Sequence, residues 1–412
     1  GNQKMNRCEE KRLIKLHQYM REKKESIPKK IKAISLFSNV GIAEAYFKQI
    51  GIDVVLANEI DSKRVNFYKH LYPNVEVIKG DITSLNIEKE ILAKAKINEI
   101  ELLIATPPCQ GMSTAGKKEE SDPRNNLICH AIKIVKKLKP KYIFLENVPT
   151  QLTTKITYKS KIITILEYLK KELGSNYNFN DKFVVNAGDY GVPQDRKRAI
   201  ILLVRKDLGF KWDFPVKNNY KINLDKAIGK LPILDPDIAD ISENEKLNIF
   251  PNFYERKETA SKISRWFYPP KHVFRQVYSL MYTPSGKSAF ENIDLFRPRK
   301  TDGSLTKGFK NTYKRQNWDK PAYTVTMYNR TISSQDNVHP GRYLGKDKQG
   351  YPIYSDARVL TIYELMIVSS LPKDWDIPDW ATDHFIRQVI GEGIPPLLVK
   401  KIMLELIKVH NE

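Results

Sequence analysis

The sequence predicts an α/β protein, built as a doubly wound, mostly parallel seven-stranded sheet with a smaller irregular second domain. Three observations carry this. Short apolar or β-branched runs, too short for helices, recur through the first 200 residues. Segments with helical spacing separate the first five of them. From about Lys206 onward prolines interrupt every candidate element, so the alternation stops.

In order, the expected strands are Ile31 to Phe37, Asp53 to Ile60, Glu76 to Ile82, Glu101 to Ala105, Lys141 to Val148, Lys182 to Asn186 and Ala199 to Val204. Helical spacing appears at Ile42 to Ile50, Ser62 to Leu71 and Asn126 to Leu138. The last two strands are joined by GDYGVPQDRKR, which reads as loop, so they should pair antiparallel at the sheet edge. Beyond residue 206, Pro215, Pro232, Pro251, Pro284 and Pro298 break the pattern. Trp266, Phe267, Tyr268, Tyr278 and Tyr282 lie there among Lys and Arg, as on a surface that grips nucleic acid, or as buried aromatics of a loop-rich decoration. Helical spacing returns at Thr361 to Ser369 and Pro396 to Val409, predicting a C-terminal segment that packs back on the first domain. The expected division is therefore a basic extension at 1–30, with a helix near Glu9 to Lys23, a sheet domain at 31–205, an irregular domain at 206–315 and a returning segment at 316–412.

Composition narrows the function. The 412 residues include 69 Lys plus Arg against 48 Asp plus Glu, a net charge of +21, which suits a partner with a phosphate backbone as well as a merely basic surface. Three Cys without a CxxC or Cys/His cluster argue against a disulfide scaffold and a zinc site, and no metal is expected. No apolar stretch reaches the roughly 18 residues of a membrane span, and the charged opening lacks a signal-peptide core. The expectation is a soluble, cytoplasmic protein.

In an open α/β sheet the ligand lies beyond the carboxyl ends of the strands. The first strand ends in Leu36-Phe37-Ser38-Asn39-Val40-Gly41, the second in Asn58-Glu59-Ile60-Asp61, the third in Gly80-Asp81-Ile82. A nucleoside could use all three: an acid after the second strand accepts from ribose hydroxyls, an Asp after the third accepts from an adenine amine, and Phe37 offers an apolar face. Each acid alone could be a helix cap. The fourth strand ends in Thr106-Pro107-Pro108-Cys109-Gln110-Gly111-Met112-Ser113, where two prolines stiffen the turn that presents Cys109, a candidate nucleophile rather than a small buried hydrophobe. Cys8 and Cys129 do not sit at strand ends. The fifth strand closes on Glu146-Asn147-Val148; a Glu kept protonated by burial can donate to a ring nitrogen.

Taken together, PPCQ, ENV, Gln194-Asp195-Arg196-Lys197-Arg198 and a closing Ile390-Gly391-Glu392-Gly393-Ile394-Pro395-Pro396 resemble the DNA cytosine carbon-5 methyltransferases of the restriction-modification type, over most of the chain and in the family's order. The resemblance implies a Rossmann-like methyltransferase fold, S-adenosylmethionine as cofactor with S-adenosylhomocysteine as product, and double-stranded DNA as substrate, bound by a monomer. It implies Cys109 as nucleophile at cytosine carbon 6, Glu146 on N3 and the exocyclic amine, Arg198 on O2, and Arg196 and Thr324 near phosphates. The cofactor would lie against Phe37, Ser38, Asn39, Gly41, Glu59, Ile60, Asp81, Ile82, Pro108 and Glu392. DNA would meet Gln110, Ser113, Arg124 and Gln194, and the domain at 206–315 would choose the sequence. There Arg297, Arg299 and Arg315 flank the Gly303 to Gly308 turn as candidate guanine readers, or as phosphate contacts.

Two departures stand out. The family's FxGxGG becomes Phe37-Ser38-Asn39-Val40-Gly41-Ile42, and because Ile does not adopt left-handed angles the loop should follow a different path. Glu392 replaces a usual Asn. A tRNA cytosine methyltransferase shares the nucleophile region but usually carries Phe-Thr after PCQ and less inserted chain. A nicotinamide oxidoreductase would need GxGxxG, and a nonenzymatic DNA-binding relative is supported only by the altered loop.

Overall fold

The computed structural model describes residues 30–108 and 127–412, with a few positions between 11 and 19. Those few are helical, in keeping with the helix expected there; the rest of the N-terminal extension lies outside the described residues. The sheet is formed by β1 (Ile31–Leu36), β2 (Ile52–Glu59), β3 (Glu76–Lys79), β4 (Leu102–Ala105), β5 (Tyr142–Asn147), and, after a small hairpin of β6 (Lys155–Tyr158) and β7 (Lys161–Thr164), by β8 (Tyr177–Phe179), β9 (Val184–Asn186) and β10 (Lys197–Arg205). The order is β3-β2-β1-β4-β5-β10-β8, with β9 also on β10. The first five positions are parallel and β10 is antiparallel to β5. Ala199 pairs with both Asn147 and Val184, and Leu203 with both Ile143 and Phe179. Thus β8 and β9 occupy one edge of β10 as an interrupted seventh strand, and the expected antiparallel edge pair is present.

Alternation along the strands splits the core into two faces. Ile34, Leu36, Leu103, Ala105, Ile143 and Leu145 pack beneath the helices Leu85–Ile97, Leu127–Leu138 and Ile165–Leu173. Ile31, Ala33, Leu102, Ile104, Tyr142 and Phe144 face Phe47, Trp212 and the C-terminal helix Pro396–His410. The C-terminal helix thus covers this face of the sheet. The Trp212 indole donates to the Ile402 carbonyl at 2.9 Å, so residues 206–214 pack with the sheet although the strand and helix rhythm has already ended.

One helix expected from spacing does not form. Ile42 to Ile50 runs as consecutive turns ending in a single 3-10 turn, Lys48–Ile50. Ala43 and Phe47 are drawn to the sheet while Ile42 joins a different cluster with Val325, Leu365 and Ile390, and one helical face cannot serve two cores.

The irregular body has its own cores. Leu224 and Ile228 pack with the helices Ile362–Val368 and Asp383–Glu392, and Ile238, Val277, Leu280, Tyr313, Val338 and Val359 form another cluster. Chain from 206–315 and from 316–412 interleaves in both. Buried Arg358 ties this body together, bonding Asp356 at 2.9 Å and Glu364 at 2.6 Å. Among the described residues no helix is long and apolar enough to cross a membrane.

Candidate active site

Strand register builds the site. Leu36 is level with Asn58 and with Ala105, and Ala105 with Leu145, so β1, β2, β4 and β5 end along one line. The turns that follow are cross-tied. The Thr106 hydroxyl donates to the Phe37 carbonyl at 3.0 Å, and the Asn147 amide donates to the Pro107 carbonyl at 3.1 Å. The ENV turn therefore holds the proline turn that leads into Cys109. Phe37 and Asn39 both take φ of 52°, and Gly41 takes 83°. Asn tolerates this conformation; Ile42 stays out of it and is buried instead.

These turns enclose a cavity of about 600 Å³. Phe37, Ser38, Asn39, Glu59, Ile60, Asp81, Ile82, Pro108, Glu146, Arg196, Arg198 and Glu392, all expected from sequence, line it together. Glu146 is buried, and the Arg198 guanidinium Nε lies 3.3 Å from its Oε1. Burial raises the Glu146 carboxyl above its ordinary range, with Arg198 and Arg196 pulling the other way. At the opposite end burial pushes Glu59 up to about 7, with Arg64 opposing. Asp81 braces the turn ahead of the helix Leu85–Ile97, its Oδ1 accepting from the Thr83 amide at 2.9 Å and hydroxyl at 2.8 Å, while Ser84 stands at that helix's N-cap. An apolar wall of Phe37, Ile60 and Ile82 beside two carboxyls suits a nucleoside with free ribose hydroxyls.

Other expected residues fall elsewhere. Cys109, Gln110, Ser113 and Arg124 lie outside the described residues, as does Cys8. Gly41 does not line the cavity: a Cβ there would meet Tyr72 at 2.4 Å, and its carbonyl accepts from the Tyr72 hydroxyl at 2.6 Å, so it seats the loop on two tyrosines. Gln194 is buried, donating to the Val368 carbonyl and accepting from the Val325 amide, which removes it from DNA. Arg196 is buried too. It donates to the carbonyls of Val325 at 2.5 Å and Gly391 at 2.7 Å, clamping three segments instead of reaching a phosphate. Arg315 is 0% exposed and donates to the carbonyls of Leu280, His339 and Asp356. Surrounded by backbone oxygens, it cannot read a base. Arg297 and Arg299 remain at the surface, Arg299 donating to the Gly303 carbonyl at 3.0 Å. Thr324 is exposed, its hydroxyl donating to the Asp195 carbonyl.

Sequence reasoning missed Arg64 and Met327 in the lining. It also missed Phe309, 80% exposed near the end of the 300–310 segment, which is exposed except at Thr306 and carries Lys300, Lys307 and Lys310. Arg64 offered no local signal of its part in the cavity wall, because two of its partners there, Asn39 and Glu392, are distant in sequence. Phe309 could have been noticed as an aromatic between lysines next to a glycine.

The chain matches the model of the C-5 cytosine-specific DNA methylase family over residues 31–408. It is 42% identical over 383 residues to the type II methyltransferase M1.HgaI of Avibacterium volantium, covering 92% of this chain and 98% of that one. It is 32% identical over 387 residues to M.NgoPII of Neisseria gonorrhoeae, covering 92% and 96%. Among solved structures it is similar in fold to the Entamoeba histolytica methyltransferase EhMeth, with a TM-score of 0.57 at 15% identity over 92% of this chain and 98% of that one. With a family match that spans both bodies and a cavity composed of the strand ends that carry its motifs, the chain belongs to the C-5 cytosine-specific DNA methylases, the enzymes that methylate carbon 5 of cytosine in DNA.

Proposed function

We propose that the protein methylates carbon 5 of a cytosine flipped out of a specific double-stranded DNA sequence, with Cys109 bonding covalently to carbon 6. When bound, S-adenosylmethionine supplies the electrophilic methyl group. Carbon 5 of cytosine is a poor nucleophile, so the Cys109 thiolate adds at carbon 6 and turns the ring into an enamine. Glu146 holds N3 and the exocyclic amine, where the addition places charge; a carboxyl with a raised pKa can deliver the proton that N3 requires. Arg198, beside Glu146, holds O2. Once carbon 5 carries the methyl group, with S-adenosylhomocysteine as the leaving product, loss of the carbon 5 proton to a solvent base and departure of Cys109 as thiolate restore the aromatic ring. Glu59 accepts from the cofactor's ribose, Asp81 from its adenine amine, and Phe37 covers the purine.

The observation that carries this reading is the cavity itself, which joins the Glu146 and Arg198 pair at one end to Glu59 and Asp81 at the other, with Pro108, the residue before Cys109, on its wall. Basic residues of the exposed 300–310 segment, with Arg297 and Arg299, meet the DNA in this reading, and Phe309 supplies an apolar contact to a base. The test is incubation with DNA carrying 5-fluorocytosine in random sequence, with S-adenosylmethionine. A covalent adduct mapping to Cys109 supports the reading, and an adduct at Cys8 or Cys129 overturns it.

A further inference from the structure

Three residues far apart in sequence close a ring of hydrogen bonds on the wall of the cavity. Arg64, in the helix Ser62–Leu71, donates from Nη2 to both Glu392 carboxylate oxygens at 2.9 Å and from Nε to Asn39 Oδ1 at 3.2 Å. The Asn39 amide completes the ring, donating to Glu392 Oε2 at 3.0 Å. All three line the cavity beside Glu59. The side chains of Arg64 and Glu392 are only 18% and 15% exposed, so this pair is screened far less than a surface pair. The guanidinium also stands 5.7 Å from the centre of the Phe385 ring, on the same helix as Glu392. Asp61 lies 3.5 Å from its Nη1.

We propose that Arg64 is a positioning residue of the cofactor site, locking the loop after β1 and the end of the helix Asp383–Glu392 into a single wall. The inference rests on the cofactor reading given above. Its physical basis is that Phe37 and Asn39 both hold left-handed backbone angles, which Asn tolerates and a bulky Phe avoids, so the loop keeps its shape only while something compensates. Asn39 is held from both sides by the ring. Without Arg64, the Glu392, Asp61 and Glu59 carboxyls lose the guanidinium they share, and the helix end and the loop separate. Glu146 and Arg198 stand on other strand ends and keep their chemistry. The two departures from the family pattern, Asn39 and Glu392, are therefore one feature joined through Arg64.

The test measures S-adenosylhomocysteine binding by calorimetry on the full chain for Arg64→Ala, Glu392→Ala, their double variant, Arg64→Lys and Glu59→Ala. Steady-state kinetics for cofactor and DNA accompany it. Each alanine variant is expected to raise the dissociation constant about tenfold, with Arg64→Lys between it and wild type. The double variant should stay near tenfold instead of about a hundredfold, because the members act as a unit. The Michaelis constant for cofactor should follow while kcat at saturating cofactor and the Michaelis constant for DNA hold. Should Arg64→Ala fail to fold, Arg64→Lys and Glu392→Gln carry the same comparison. Single effects that multiply, or affinity unchanged in the ring variants while Glu59→Ala weakens binding, overturn the ring and leave the cofactor reading standing. Unchanged affinity in Glu59→Ala as well overturns both.

Discussion

Cofactor affinity should fall as the pH drops through neutrality, and Glu59 is the reason. Its carboxyl is pushed up to about 7 by burial, with Arg64 opposing. Accepting two ribose hydroxyls requires the ionised form, whereas a protonated Glu59 must first lose its proton. The sign follows: with a free-protein pKa near 7, the carboxylate is available above pH 7 and lost below it. For one such proton the apparent dissociation constant scales as 1 + 10^(pKa − pH), so binding at pH 6 should be about elevenfold weaker than at the alkaline limit, and within about 10% of that limit at pH 8. Calorimetric titration with S-adenosylhomocysteine, in the absence of DNA so that Glu146 is not engaged, at half-unit steps from pH 5.5 to 8 reads this directly. Glu59→Gln should bind more weakly at pH 8 and show a flat profile. A flat wild-type profile refutes the reasoning. So does a slope that survives in Glu59→Gln, which would assign the titration elsewhere, the buried Glu44 beneath the loop being another carboxyl pushed up to about 7.

Cys109→Ser should abolish methyl transfer, followed by tritium incorporation into DNA, while calorimetric cofactor affinity stays at the wild-type level. Glu146→Gln keeps the shape of the side chain but cannot supply a proton, so kcat should fall about 10²-fold or more, with the cofactor Michaelis constant unchanged. Arg315→Ala should cost about 3 kcal/mol or more in urea unfolding, because three buried carbonyls lose a charged donor, and should leave site preference intact in the surviving folded fraction. Arg299→Ala should leave stability within about 0.5 kcal/mol and change methylation of a random DNA library. Relaxed choice at one position marks a base contact, and a shallower salt dependence on every sequence marks a phosphate contact.

Much of the fold was legible because parallel strands buried on both faces are short, mostly apolar runs, and β1, β2, β4 and β5 carry that signature, β2 and β5 up to the polar residues that close them. The strands β8, β6 and β7 escaped. Each has three or four residues, and Lys155, Lys161 and Asn178 dilute the apolar pattern. The turns at Ile42 to Ile50 showed helical spacing, but spacing cannot say that successive apolar residues are claimed by two different cores.

By itself the sequence placed the first five strands along the chain and the residue types at their ends, since both depend on local pattern: Glu59, Asp81 and Glu146 are set at their places by the β-runs that precede them. Only the tertiary structure decided which charged residues are free to meet a ligand. Arg315, Arg196 and Arg299 look alike in sequence, yet the first is sealed among backbone carbonyls, the second clamps three segments at the cavity wall, and the third stands on the surface. The ring of Asn39, Arg64 and Glu392 shows the same division. Its members are separated by as many as 353 positions, and a charge acquires its partner from the packing of whole helices, a long-range outcome that no local window of sequence contains.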